Sequence, residues 1–132
     1  MAHILLTEDD DAVRAFVKRA LELDGHKVTA VEDGAEAALV LLQQQGKFDL
    51  LLSDIRMPEM DGIELAMQSS ARYPGLPILL MTGYADQRER SEEVGKCVKD
   101  VLTKPFSLVE VRKAVTTALA DEEESSPQSA FA

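Results

Sequence analysis

The chain has 132 residues, 45% of them apolar, and a formal charge of −10. That length suits one domain around one core, and so acidic a chain is a poor candidate for nucleic-acid binding. Its apolar runs are too short to span a bilayer, no charged leader opens it, and the single Cys97 cannot form an internal disulfide; a cytoplasmic, reducing address is expected.

His3-Ile4-Leu5-Leu6-Thr7 is a short apolar strand that ends on four acids, Glu8, Asp9, Asp10 and Asp11. Asp10 or Asp11 can cap the helix that follows, which explains two acids and not four. That helix carries Val13, Phe16, Val17, Ala20 and Leu21 at the spacing of one buried face, and Asp24-Gly25 stops it. Lys27 to Val31 is the second strand. Asp33-Gly34 turns it into a helix with Ala35, Ala38, Leu39 and Leu42 inward, ending near Gly46. Leu50-Leu51-Leu52-Ser53-Asp54 is the third strand. Its three successive leucines mark a strand buried on both faces of a parallel sheet. Pro58 and Gly62 force a loop, and the third helix places Ile63, Ala66 and Met67 on one face before Tyr73-Pro74-Gly75 closes it.

Pro77 to Met81 is the fourth strand, ending on Thr82-Gly83. A nearly all-polar helix is predicted over Ala85 to Val94. Val98 to Thr103 is the fifth strand, ending on Lys104-Pro105-Phe106. The last helix has Val111, Ala114, Val115, Ala118 and Leu119 on one face. From Asp121 to Ala132 the apolar period stops, and the composition reads as a disordered acidic tail after a domain over 1–120. Strands that alternate with helices are parallel and joined by right-handed crossovers. The fold class is therefore α/β, a doubly wound five-stranded sheet in a three-layer α/β/α domain.

Such a sheet gathers its strand ends at one edge, where open α/β sheets place their ligands. Glu8, Asp9, Asp54, Thr82 and Lys104 then share a pocket. Clustered carboxylates call for a cation, and several hard oxygen ligands with room for water suit Mg²⁺. A hydroxyl and an ammonium opposite the ion are what a phosphoryl group needs on its remaining oxygens. A carboxylate there can act as nucleophile and become an aspartyl phosphate.

In order along the chain, Ile4-Leu5-Leu6-Thr7-Glu8-Asp9-Asp10, the Asp54-x-x-Met57-Pro58-x-Met60-Asp61-Gly62 loop, Met81-Thr82-Gly83 and Lys104-Pro105-Phe106 resemble a response-regulator receiver domain of two-component signalling. The resemblance covers residues 1 to about 120. It implies the flavodoxin-like strand order 2-1-3-4-5, with Asp54 as phosphoacceptor. It implies that Asp9 ligates Mg²⁺ directly, Glu8 through water, and Arg56 through its backbone carbonyl. Thr82 would bond a phosphoryl oxygen, and Lys104 would pair with Asp54 and then with the phosphoryl group. The Lys104–Pro105 bond is typically cis in such domains. Two positions depart from the common pattern: Glu8 where Asp is frequent, and Val101 where an aromatic switch often stands. Tyr84 either takes over part of that switching or is a loop aromatic.

The resemblance further implies a histidine kinase or histidine phosphotransferase as phosphodonor, and a monomer or weak dimer. With no second domain following the last helix, output would be a protein–protein contact. The Leu51-Leu52-Ser53-Asp54-Ile55 strand and Met81-Thr82-Gly83-Tyr84-Ala85 are similar to stand-alone cell-cycle receivers. Members of that type act as adaptors that prime substrate delivery to the ClpXP protease. A phosphorelay intermediate is the alternative. A haloacid-dehalogenase-like phosphatase would need a second Asp two residues after the nucleophile, and Arg56 stands there; the chain is not expected to be an enzyme beyond its own phosphorylation and dephosphorylation. His3 and His26 are expected at strand ends without partners, and the methionines in core and loop packing.

Overall fold

The computed structural model describes residues 2–57, 60–83 and 98–124. The elements run β1 (His3–Thr7), α1 (Asp11–Leu23), β2 (Lys27–Val31), α2 (Gly34–Gln43), β3 (Leu50–Asp54), α3 (Gly62–Arg72), β4 (Ile78–Thr82), β5 (Asp100–Thr103) and α4 (Leu108–Glu124). All strand pairs are parallel, and the sheet order is β2-β1-β3-β4-β5. The doubly wound, flavodoxin-like architecture read from the sequence is the one present. Residues 84–97, which hold the expected polar helix, Tyr84 and Cys97, lie outside the described residues, as do 125–132.

Every residue of β3 and β4 is buried. Their side chains alternate between two cores, as a pleated strand covered on both faces requires. Leu51 and Ile55 join Leu5, Leu41, Leu65 and Leu80 under α2 and α3. Leu50 and Leu52 join Ile4, Leu6, Val17, Leu21, Leu79 and Val115 under α1 and α4. Among the described residues no helix is long and apolar enough to cross a membrane.

Among the described residues, aspartates start three of the four helices. Asp10 accepts from the backbone N–H of Ala12 and Val13, Asp33 from Glu36, and Asp61 from Glu64, at 2.8–3.0 Å. Each satisfies donors that a helix leaves orphaned, worth about 1 kcal/mol per cap. At α4, Ser107 and Glu110 bond reciprocally to each other's backbone N–H, a capping box.

Several inward faces differ from the periodicity reading. In α2 the buried residues are Gly34, Ala37 and Leu41, while Leu39 and Leu42 are about half exposed. The helix is apolar nearly all round, so its pattern does not single out a face; contact with the sheet does. Gly34 decides the rotation, because a Cβ there would lie 2.1 Å from the Met60 carbonyl oxygen. In α3, Met67 is exposed and Leu65 is fully buried beside Ile63 and Ala66. Phe16 of α1 is 40% exposed, because it borders the acidic cleft rather than the core. His3 and His26 do have partners: His3 bonds Thr29 Oγ1 and packs on Phe48, and His26 Nδ1 accepts from Ala2 N–H. The last helix runs to Glu124; the glutamates after Asp121 are good helix formers.

Gly62 opens α3 directly against the backbone that carries Asp54. A Cβ at 62 would lie 2.2 Å from the Asp54 carbonyl oxygen and 2.8 Å from Ile55 Cα. Gly62→Ala is therefore expected to destabilise the fold by about 1–3 kcal/mol through overpacking. Gly75→Ala meets nothing within 4 Å and is expected to stay within about 0.5 kcal/mol of wild type. Urea melts of the two variants check the contrast.

Candidate functional site

Register delivers the site. Thr7 of β1 pairs with Ser53 of β3, so Glu8 emerges beside Asp54. Glu8 N–H also bonds the Val31 carbonyl of β2 at 3.2 Å, which continues the ladder one residue past the strand. On the other side, Thr82 pairs with Thr103. Lys104 N–H then donates to the Thr82 carbonyl at 2.7 Å, and its side chain turns back over the sheet edge. The Lys104–Pro105 peptide is cis.

The carboxylates of Glu8, Asp9 and Asp54 bring ligand oxygens within 4.8 Å of one another. Glu8 and Asp54 are buried and Asp9 is exposed. Lys104 Nζ lies 2.7 Å from Glu8 Oε1 and 3.2 Å from Asp54 Oδ2. The sequence reading expected Lys104 on Asp54; the lysine bridges both acids, and the closer one is Glu8. The glutamate's extra methylene supplies that reach. Asp54 Oδ1 accepts from the N–H of Ile55 at 3.0 Å, and Glu8 Oε2 accepts from that of Asp10 at 3.1 Å. Each buried carboxylate is thus held through both oxygens.

Burial raises the pKa of Glu8 and of Asp54 above the ordinary carboxylate values, and Lys104 only partly offsets it. Burial and the neighbouring Glu8 raise Asp9 as well. Burial alone would lower Lys104, but Glu8 and Asp54 outweigh it and hold the ammonium above the usual lysine value. A set of carboxylates in this state fits a divalent cation with hard-oxygen preference, because the ion relieves their mutual repulsion. The exposed Asp9 side leaves room for water, which Mg²⁺ tends to retain.

Arg56 lines the same cleft as Glu8, Asp9, Asp54 and Lys104. Thr82 is 1% exposed at the end of β4. Two residues beside the site were not singled out by sequence. Phe16 forms an apolar wall of the cleft. Arg14 Nη1 donates to the Glu8 carbonyl at 2.9 Å, and its Nη2 lies 2.5 Å from Asp11 and 3.8 Å from Glu32. An Arg three residues after Asp11 signals a helical ion pair; nothing in the sequence signals the carbonyl contact.

Residues 4–116 match the response regulator receiver domain, and the chain belongs to that family. Its acidic triad is typical of a receiver Mg²⁺ site. The chain is 44% identical over 108 residues to the response regulator receiver protein CpdR of Brucella abortus, covering 82% of this chain and 88% of that protein. It is 45% identical over 105 residues to the response regulator protein FleR of Pseudomonas aeruginosa, covering 80% of this chain but only 22% of the relative. Among solved structures, response regulator protein TrrA of Thermotoga maritima in complex with Mg²⁺–BeF superposes with a TM-score of 0.79 at 27% identity, over 89% of this chain and 99% of that one.

The charge cluster dictates how stability responds to pH. A raised carboxyl pKa means the folded state holds its proton more tightly than the unfolded chain. The associated stability is present below the unfolded value and is lost as pH rises through the folded one. In EDTA, Asp54→Asn is therefore expected to be more stable than wild type at pH 7, by about 1 kcal/mol. That is a fraction of the roughly 4 kcal/mol between like charges 4 Å apart at an effective dielectric of about 20. The gain should vanish below about pH 4, where the wild-type carboxyl is protonated in both states. Lys104→Ala, which leaves two buried acids unpaired, is expected to lose about 2–3 kcal/mol. That lies below the roughly 3–5 kcal/mol of a fully buried pair, because the lysine side chain is 23% exposed. Thermal melts across pH 3.5–8 test both.

Proposed function

We propose that this receiver is a phosphorylation-gated signalling module in which Asp54 accepts the phosphoryl group. The observation that carries the reading is the Glu8–Asp9–Asp54 cluster bridged by Lys104. Asp54 Oδ2, given up by Lys104, attacks phosphorus in line while the bond to the donor imidazole nitrogen of a histidine kinase or histidine phosphotransferase breaks. The donor nitrogen leaves with the electron pair of that bond. Glu8, Asp9, Asp54 and the backbone carbonyl of Arg56 would hold Mg²⁺. When bound, the ion offsets the charge of the acids and of the incoming phosphoryl oxygens. Lys104 exchanges its contact with Asp54 for one with a phosphoryl oxygen, and the Thr82 hydroxyl donates to another. Glu8 keeps the ammonium near the site during that exchange. The chain acts as a phosphoacceptor switch that promotes only its own phosphorylation and dephosphorylation, in the cytoplasm.

Output is a phosphorylation-dependent protein–protein contact. The similarity to CpdR over 88% of that protein's length supports a CpdR-type adaptor that governs ClpXP proteolysis in the cell cycle. Acetyl phosphate with Mg²⁺ is expected to add one phosphoryl group by intact mass, and none in EDTA or in Asp54→Asn. Wild-type labelling of Asp54→Asn would refute the assignment. Pull-downs with unphosphorylated and phosphorylated protein should differ in ClpXP capture; equal capture, with phosphate returned to a phosphotransferase, would make the chain a phosphorelay intermediate instead.

A further inference from the structure

We propose that Arg14 is a positioning residue for cation binding, acting by fixing the peptide between Glu8 and Asp9. The inference rests on the Mg²⁺ reading above and adds to it a residue that touches neither the ion nor the phosphoryl group. The Glu8 carbonyl belongs to the peptide that leads into Asp9. Arg14 Nη1 holds that oxygen at 2.9 Å, while the Glu8 N–H is pinned to Val31 at 3.2 Å. Both backbone polar groups of Glu8 are therefore committed, so the direction in which Asp9 departs is set. Asp9 needs such support, because it is exposed and sits in the turn between β1 and α1.

The guanidinium is itself oriented. Asp11 in the first turn of α1 and Glu32 just past β2 both contact Nη2, and the Arg14 side chain is only 18% exposed. One planar fork thus ties the end of β1, the start of α1 and the end of β2. A lysine, with a compact point charge, cannot reproduce that set of directed donors.

Charge and positioning predict opposite outcomes. Removing a cation beside an acidic cluster makes the local potential more negative, which by Coulomb's law alone tightens Mg²⁺ binding. Loss of an orienting residue behind the ligands weakens it, typically by about 10–100-fold. Mg²⁺ titrations followed by amide NMR give the dissociation constant and show in the same spectra whether each variant is folded. Arg14→Ala is expected to weaken binding about 10-fold, the low end of that range, since Asp9 faces solvent. Arg14→Lys should fall between Arg14→Ala and wild type although its charge is unchanged, and it carries the test if Arg14→Ala does not fold. Binding as tight as wild type, or tighter, in either folded variant overturns the proposal. No saturable response in wild type would instead overturn the Mg²⁺ reading on which it rests.

Discussion

One ammonium holds the carboxyl edge of this sheet together. Glu8 and Asp54 are buried side by side at the ends of β1 and β3, and Asp9 joins them from the turn. Like charges that close repel by several kcal/mol even at a generous effective dielectric, a large quantity against a typical domain stability of about 5–15 kcal/mol. Lys104 reaches both buried acids from the far side of the sheet. Burial, more than repulsion, raises the three carboxyl pKa values, and for the two buried acids Lys104 only partly offsets it. Such a cluster of hard carboxylate oxygens suits a divalent cation.

The four successive acids at Glu8–Asp11 divide by task. Asp10 caps α1, and Asp11 meets Arg14. Glu8 and Asp9 are left facing Asp54. Composition alone shows only an acidic run; the division arises because the helix takes the acid that lies at its N-cap and the first of its turn. Glu8 also departs from the aspartate common in receivers, with a geometric consequence. Its longer arm meets the lysine at 2.7 Å, closer than Asp54 does. The lysine thus has a second partner besides Asp54.

The strands were legible because burial on both faces leaves unbroken apolar runs such as Leu50 to Leu52, and because each run ends on a polar residue. The site was legible for the same reason: parallel strands end at one edge, so strand-terminal residues meet. What the sequence did not reveal depends on tertiary choice. The almost wholly apolar α2 offered several possible faces, and the close approach of Gly34 to Met60 selected one. Phe16 sits at a core-like spacing but borders the cleft. The contact of Arg14 with a carbonyl leaves no mark in residue types, because any backbone oxygen could receive it.

The central claim is that Glu8, Asp9 and Asp54 form one cation site. The side-chain carboxyl carbons report on it directly. In a Mg²⁺ titration of uniformly ¹³C-labelled protein, the three carboxyl resonances should shift together and follow a single dissociation constant. Independent dissociation constants, or an unmoved Asp54 resonance at saturation, would contradict the account.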